Sequence, residues 1–87
     1  MKISEDFVLR RVANLWMVLP LKTDTVDFNG MVRLNDSGAM LWKLLEQGAS
    51  REELLQAMTE QYSVSREQAA QDLEEFIGIL NQIGCLE

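Results

Sequence analysis

A strand pattern that runs into a helix with almost no loop between them limits the folds open to this chain more than any other feature. Met31-Val32-Arg33-Leu34 reads as a short strand, and Asn35 and Asp36, both good helix N-cap residues, follow at once. Leu41, Leu44 and Leu45 then recur at helical spacing, with Gly48 as the stop. Just upstream, Asn29-Gly30 is the strongest short hairpin signal there is. The stretch from 31 to 45 therefore joins the last strand of a small sheet to the first helix of a helical half.

Everything before this junction reads as strand. Residues 7–13 and 15–21 are rich in apolar and β-branched residues, with Asn14 as a turn between them and Pro20 ending the second strand or marking its edge. Residues 22–27 are a polar connection. Everything after the junction reads as helix. Ser50 and Glu53 form a Ser-x-x-Glu capping box ahead of Leu54, Leu55, Met58 and Tyr62 on one inner face. Ser65 and Gln68 form a second box, and Ala69, Leu73, Phe76, Ile77, Leu80 and Ile83 make the longest apolar stripe, closed by Gly84. The expected fold is α+β and winged-helix-like: a three-stranded antiparallel sheet followed by three helices, in a single domain over residues 1–87.

Composition narrows function by exclusion. There is no histidine and one cysteine, which removes Ser-His-Asp and Cys-His chemistry, most zinc sites and any internal disulfide. Cys85 reads as a small apolar residue near a helix end, and the five glycines are scattered rather than gathered in a phosphate loop. The acid, base and nucleophile sets are incomplete, which argues against an enzyme; no cofactor and no catalytic or metal residue is assigned. No apolar run reaches the ~20 residues of a membrane span, and no signal peptide is present, so the expected location is cytoplasmic. The net charge is −6, with the eight basic residues dispersed. The last two helices resemble a DNA reader's pair, yet the second carries Glu67, Asp72, Glu74 and Glu75 against Arg66 alone and would repel phosphates.

Two surfaces could act. The strand at Met31, Val32, Arg33 and Leu34 has no obvious later strand beside it, so its edge is either protected by Arg33 and nearby loops or used to add a peptide strand. On the last helix, Ile79 lies off the buried stripe and widens it towards Asp72, Phe76 and Ile83; the competing reading is a wide buried face. Trp16 and Trp42 read as packing residues. Gly78 inside the helix costs about 1 kcal/mol relative to alanine, either permitting close backbone approach or simply tolerated.

The run Leu34-Asn-Asp-Ser-Gly-Ala-Met-Leu-Trp42 resembles the Leu-Asn-x-x-(Gly/Thr)-Ala-x-(Leu/Ile)-Trp motif of the PqqD-like family. The helix from Ala69 through Asp72, Leu73, Phe76 and Ile77 to Leu80, and the ending Ile83-Gly-Cys-Leu86, are similar to that family's later motifs. The resemblance implies a non-catalytic peptide chaperone, which binds the leader of a ribosomally made precursor peptide. The leader would add beside the third strand (Met31, Val32, Arg33, Leu34) and lie towards Asp72, Glu75, Phe76, Ile79 and Ile83, for presentation to a modifying enzyme such as a radical-SAM maturase. In that reading Phe76 and Ile79 supply an apolar pocket, and Asp72 or Glu75 pairs with a basic leader residue. No nucleic acid and no membrane partner is expected, and the chain would be a monomer or weak homodimer. The rivals are a winged-helix DNA-binding regulator and a structural subunit dimerising through its sheet edge.

Overall fold

Three antiparallel strands lead into three helices, the α+β order expected. The computed structural model describes residues 1–21 and 32–87; the Asn29-Gly30 hairpin, the polar connection 22–27 and Met31 lie outside the described residues. The strands are β1 (Phe7–Val12), β2 (Leu15–Pro20) and β3 (Val32–Leu34), and the helices are α1 (Asp36–Gln47), α2 (Arg51–Gln61) and α3 (Arg66–Ile83). The sheet order is β1-β2-β3, so β3 is an edge.

Strand register fixes which backbone groups are spoken for. Val12 pairs with Leu15, so Ala13 and Asn14 close the hairpin as a two-residue turn, Ala13 taking a φ of 56° that an L-residue adopts at some cost. The turn residue expected at Asn14 is thus shared with Ala13. A two-residue turn makes Val12 and Leu15 a hydrogen-bonded pair, and bonded and non-bonded pairs then alternate along the ladder. Two observations agree. Pro20, which has no N–H, falls opposite Phe7 in a non-bonded pair, and in the next pair the Leu21 N–H donates to the Asp6 carbonyl at 2.8 Å. Trp16 and Val18 therefore turn their backbone groups towards β3, where they meet Leu34 and Val32. Arg33, opposite Met17, turns its N–H and C=O away from β2.

The same register sorts side chains. Phe7, Leu9, Trp16, Val18, Val32 and Leu34 face the helices and join a core built on Leu41, Trp42 and Leu45 of α1, Leu54, Leu55 and Met58 of α2, and Leu73, Ile77 and Leu80 of α3. Trp42 is fully buried, and its indole N–H has no acceptor. Two sequence expectations fail here. Leu44 belongs to the exposed side of α1, because Trp42 rather than Leu44 completes the buried face beside Leu41 and Leu45. Tyr62 is exposed too: α2 ends at Gln61, and Tyr62 is its extended C-cap rather than part of its inner face.

The helix starts are capped as the sequence suggests, with one exception. Asn35 Oδ1 accepts the Gly38 N–H at 2.8 Å. Ser50 and Glu53 form a complete capping box, and the Ser50 backbone N–H and hydroxyl hold the Glu53 carboxyl below its ordinary range. Ser65 Oγ accepts the Gln68 N–H, but the Gln68 amide reaches forward to Asp72 Oδ1 at 3.0 Å, so the second box is only half made. Ion pairs Arg51–Glu74 and Arg66–Glu52 link the start of α2 to α3.

The chain ends are tied together in a way no local pattern signals. Ile3 bridges to Leu86, the Ile3 N–H donates to the Leu45 carbonyl at 3.0 Å, and the Ser4 N–H donates to the Cys85 carbonyl at 2.7 Å. Cys85 is buried beneath this clasp; burial pushes its thiol up to about 11, and the thiol donates to the Leu80 carbonyl.

A Cβ built at Gly78 meets nothing within 4 Å among the described residues outside its own helical turn. Gly78→Ala should therefore stabilise the protein by about 1 kcal/mol, the helix-propensity difference. For a domain of this size that raises Tm by roughly 4–8 °C, which thermal unfolding followed by circular dichroism would detect.

Candidate functional site

The edge strand, the start of α1 and the outer side of α3 enclose a groove of about 300 Å³. Arg33 and Leu34 form its lip on β3, and Asp72, Glu75, Phe76 and Ile79 form the facing wall on α3. Asn35, Ser37, Gly38, Leu41 and Met58 lie between. The floor depends on Gly38. A Cβ there would crowd the capping oxygen Asn35 Oδ1 at 3.2 Å and Leu34 Cβ at 3.3 Å, and would meet Phe76 Cε1 at an ordinary 3.5 Å, so the bare position leaves room for the cap and the end of β3. Phe76 is mostly buried as floor, whereas Ile79, one turn further along α3, is 42% exposed and projects as an apolar wall.

Six of the nine residues singled out from the sequence line this groove: Arg33, Leu34, Asp72, Glu75, Phe76 and Ile79. The other three do not. Val32 is opposite Val18 and packs on the core. Ile83 is buried in the core beyond the groove, because four residues past Ile79 the face of α3 closes against the body of the protein. Met31 is outside the described residues.

The groove also extends further than the sequence indicated. A second depression of about 390 Å³ continues from Asn35, Ser37, Met58 and Asp72 to Asp36, Tyr62 and Val64. Tyr62 and Val64 are exposed apolar residues in the turn between α2 and α3. Their signal was present as two apolar residues in an otherwise polar turn, but helical periodicity assigned Tyr62 inward. Gly38 was also legible, as the small residue of the Asn-Asp-Ser-Gly run, without its packing reason.

The groove's charge is uneven. Asp72 and Glu75 stand on the α3 wall with Asp36 nearby, whereas Arg33 meets the groove at the strand lip and its side chain belongs to the far face of the sheet. The cations closest in sequence to the α3 acids, Arg51 and Arg66, are engaged with Glu74 and Glu52. No group of three metal-ligating side chains occurs among the described residues. An apolar floor, an acidic wall and an edge-facing backbone N–H and C=O suit the binding of an extended peptide.

Residues 16–86 match the model of the family described as coenzyme PQQ synthesis protein D (PqqD). Among solved structures, TbiB1 in complex with the TbiA(beta) leader peptide is 32% identical with a TM-score of 0.80, covering 100% of this chain and 95% of that one. Lasso peptide synthetase B1 complexed with the leader peptide superposes with a TM-score of 0.76 over 97% of this chain and 93% of that one; at 20% identity it supports the fold alone. No curated protein matches the chain closely in sequence.

Proposed function

The chain belongs to the PqqD family, and on that premise we propose that it is a recognition element for the leader of a ribosomally synthesised precursor peptide. The leader adds as a strand at β3 and is presented to a modifying enzyme. The observation that carries this reading is the edge-facing N–H and C=O of Arg33 at the lip of a groove floored by Phe76 and walled by Ile79. Strand addition needs both: backbone pairing for affinity, and pockets that sort alternate side chains for specificity. The 32% identical relative was solved in complex with a leader peptide, which supports leader binding here.

The acidic wall selects the peptide. An extended segment with apolar side chains at alternate positions and a basic residue near Glu75 fits the groove best. The contribution to catalysis is proximity: holding the leader raises the effective concentration of the attached core peptide at the enzyme. A radical-SAM maturase is one enzyme class that such a protein serves. A DNA-reading role is not favoured, since α3 carries four carboxylates against Arg66.

The test is a titration of isotopically labelled protein with the leader peptide encoded beside its gene. Shifts should concentrate at residues 32–34 and 72–79; their absence from both regions sinks the proposal. Ile79→Ser should lower leader affinity about five- to tenfold, the effect of removing a partly buried aliphatic contact. Its exposure in the free protein means thermal stability should hardly change.

A further inference from the structure

Charge is segregated across this fold. The three strands carry Arg10, Arg11 and Arg33 and no carboxylate, although the chain as a whole has a net charge of −6. Nine of the fourteen acids lie on the helices, four of them on α3 alone. The register places Arg10, Met17 and Arg33 in one row across the sheet, on the face pointing away from the helices. Val12 and Leu15 form the next row of that face and are 53% and 44% exposed. None of these side chains packs against the core, and no described element covers them.

We propose that this outer sheet face, with Met17, Val12 and Leu15 as its apolar centre and Arg10 and Arg33 as its cations, docks a partner protein. The matching surface on that partner is an apolar patch bordered by carboxylates. The occupant is the modifying enzyme itself, a step that rests on the peptide-presenting role above. Two adjacent rows on one face of the sheet make a self-contained interface, with charge at its border and apolar residues at its centre. The acidic helices exclude the other polyanions that a basic patch could attract, because a chain with a net charge of −6 is repelled at long range by a nucleic acid or an anionic membrane. The docking face and the Phe76–Ile79 floor lie on opposite sides of β3, so the leader can add at the strand edge while the enzyme holds the sheet.

The experiment measures two affinities on each variant by calorimetry: for the leader peptide, and for the purified modifying enzyme encoded beside the gene. Arg10→Glu and Leu15→Asp change exposed positions outside the groove. Each should weaken enzyme binding at least tenfold and leave leader binding within twofold, and raising salt from 50 to 300 mM should weaken the wild-type enzyme complex. Enzyme affinity that is unchanged in both variants, or undetectable for the wild type, overturns the docking face. So does a matching loss of leader affinity, which would place the effect in the groove. Binding of the wild type to phosphatidylglycerol vesicles that Arg10→Glu abolishes makes a membrane the occupant. A molecular mass that rises with concentration and is reset by Leu15→Asp makes it a second copy; either result also overturns the proposal. Failure of the wild type to bind the leader refutes the peptide-presenting role on its own.

Discussion

Arg33→Pro should reduce leader affinity at least about thirtyfold beyond the loss caused by Arg33→Ala, as read by calorimetry. Both variants remove the guanidinium, so the difference between them isolates the backbone. Alanine keeps the N–H that faces away from β2; proline removes that donor and puts a ring in the path of the incoming strand. A lost hydrogen bond accounts for about 0.5–1.5 kcal/mol, and steric exclusion of the neighbouring strand adds the rest. The fold should survive, because in this register Arg33 gives nothing to the ladder with β2 and an edge position tolerates proline. Val32→Pro makes the contrast. The Val32 backbone pairs with Val18, so proline there attacks the sheet itself and should lower stability as well as binding. Equal leader affinities for Arg33→Pro and Arg33→Ala would show that no strand adds at this edge.

The largest effect on stability is expected from Trp42→Ala. Trp42 is completely buried between the sheet and the helices, and truncation of a core Phe or Trp to alanine costs about 3–5 kcal/mol. A domain whose whole stability is of order 5–15 kcal/mol would lose a large part of it, with Tm falling by roughly 15–30 °C. Trp42→Phe should cost less than half as much in urea unfolding. It keeps most of the apolar volume and deletes an indole N–H that has no acceptor, and burying such a group unpaired costs about 1–3 kcal/mol. A phenylalanine variant as unstable as the alanine variant would mean that the indole's shape, not its volume, holds the core.

Much of this protein is legible along the chain because its signals act between near neighbours. The Ser50–Glu53 box and Asn35 set helix starts within one turn, and both were readable. Gln68 departs from the capping-box pattern for an equally local reason: its amide has two partners within reach, and Asp72, four residues ahead on the same face, takes it. Leu44 and Tyr62 depart from the apolar pattern for another reason. Apolar spacing marks a helix face but not its width, and the burial of Trp42 together with the early end of α2 at Gln61 turned both residues outward.

The order of elements, the helix caps, the acidic character of α3 and the stripe containing Phe76 follow from the sequence alone, since each depends on residues within a turn or two of one another. The tertiary structure decided the rest. It set which β3 backbone groups are unpaired, because the two-residue turn at Ala13-Asn14 fixes the alternation of hydrogen bonds across all three strands. It brought Leu34 and Phe76 together over Gly38 to form a groove floor, and it gathered Arg10 and Arg33 on either side of Met17 on the outer face. Those juxtapositions join residues far apart in the chain. They exist only once long-range pairing has chosen one register, and a slip of one residue would exchange the two faces of the sheet.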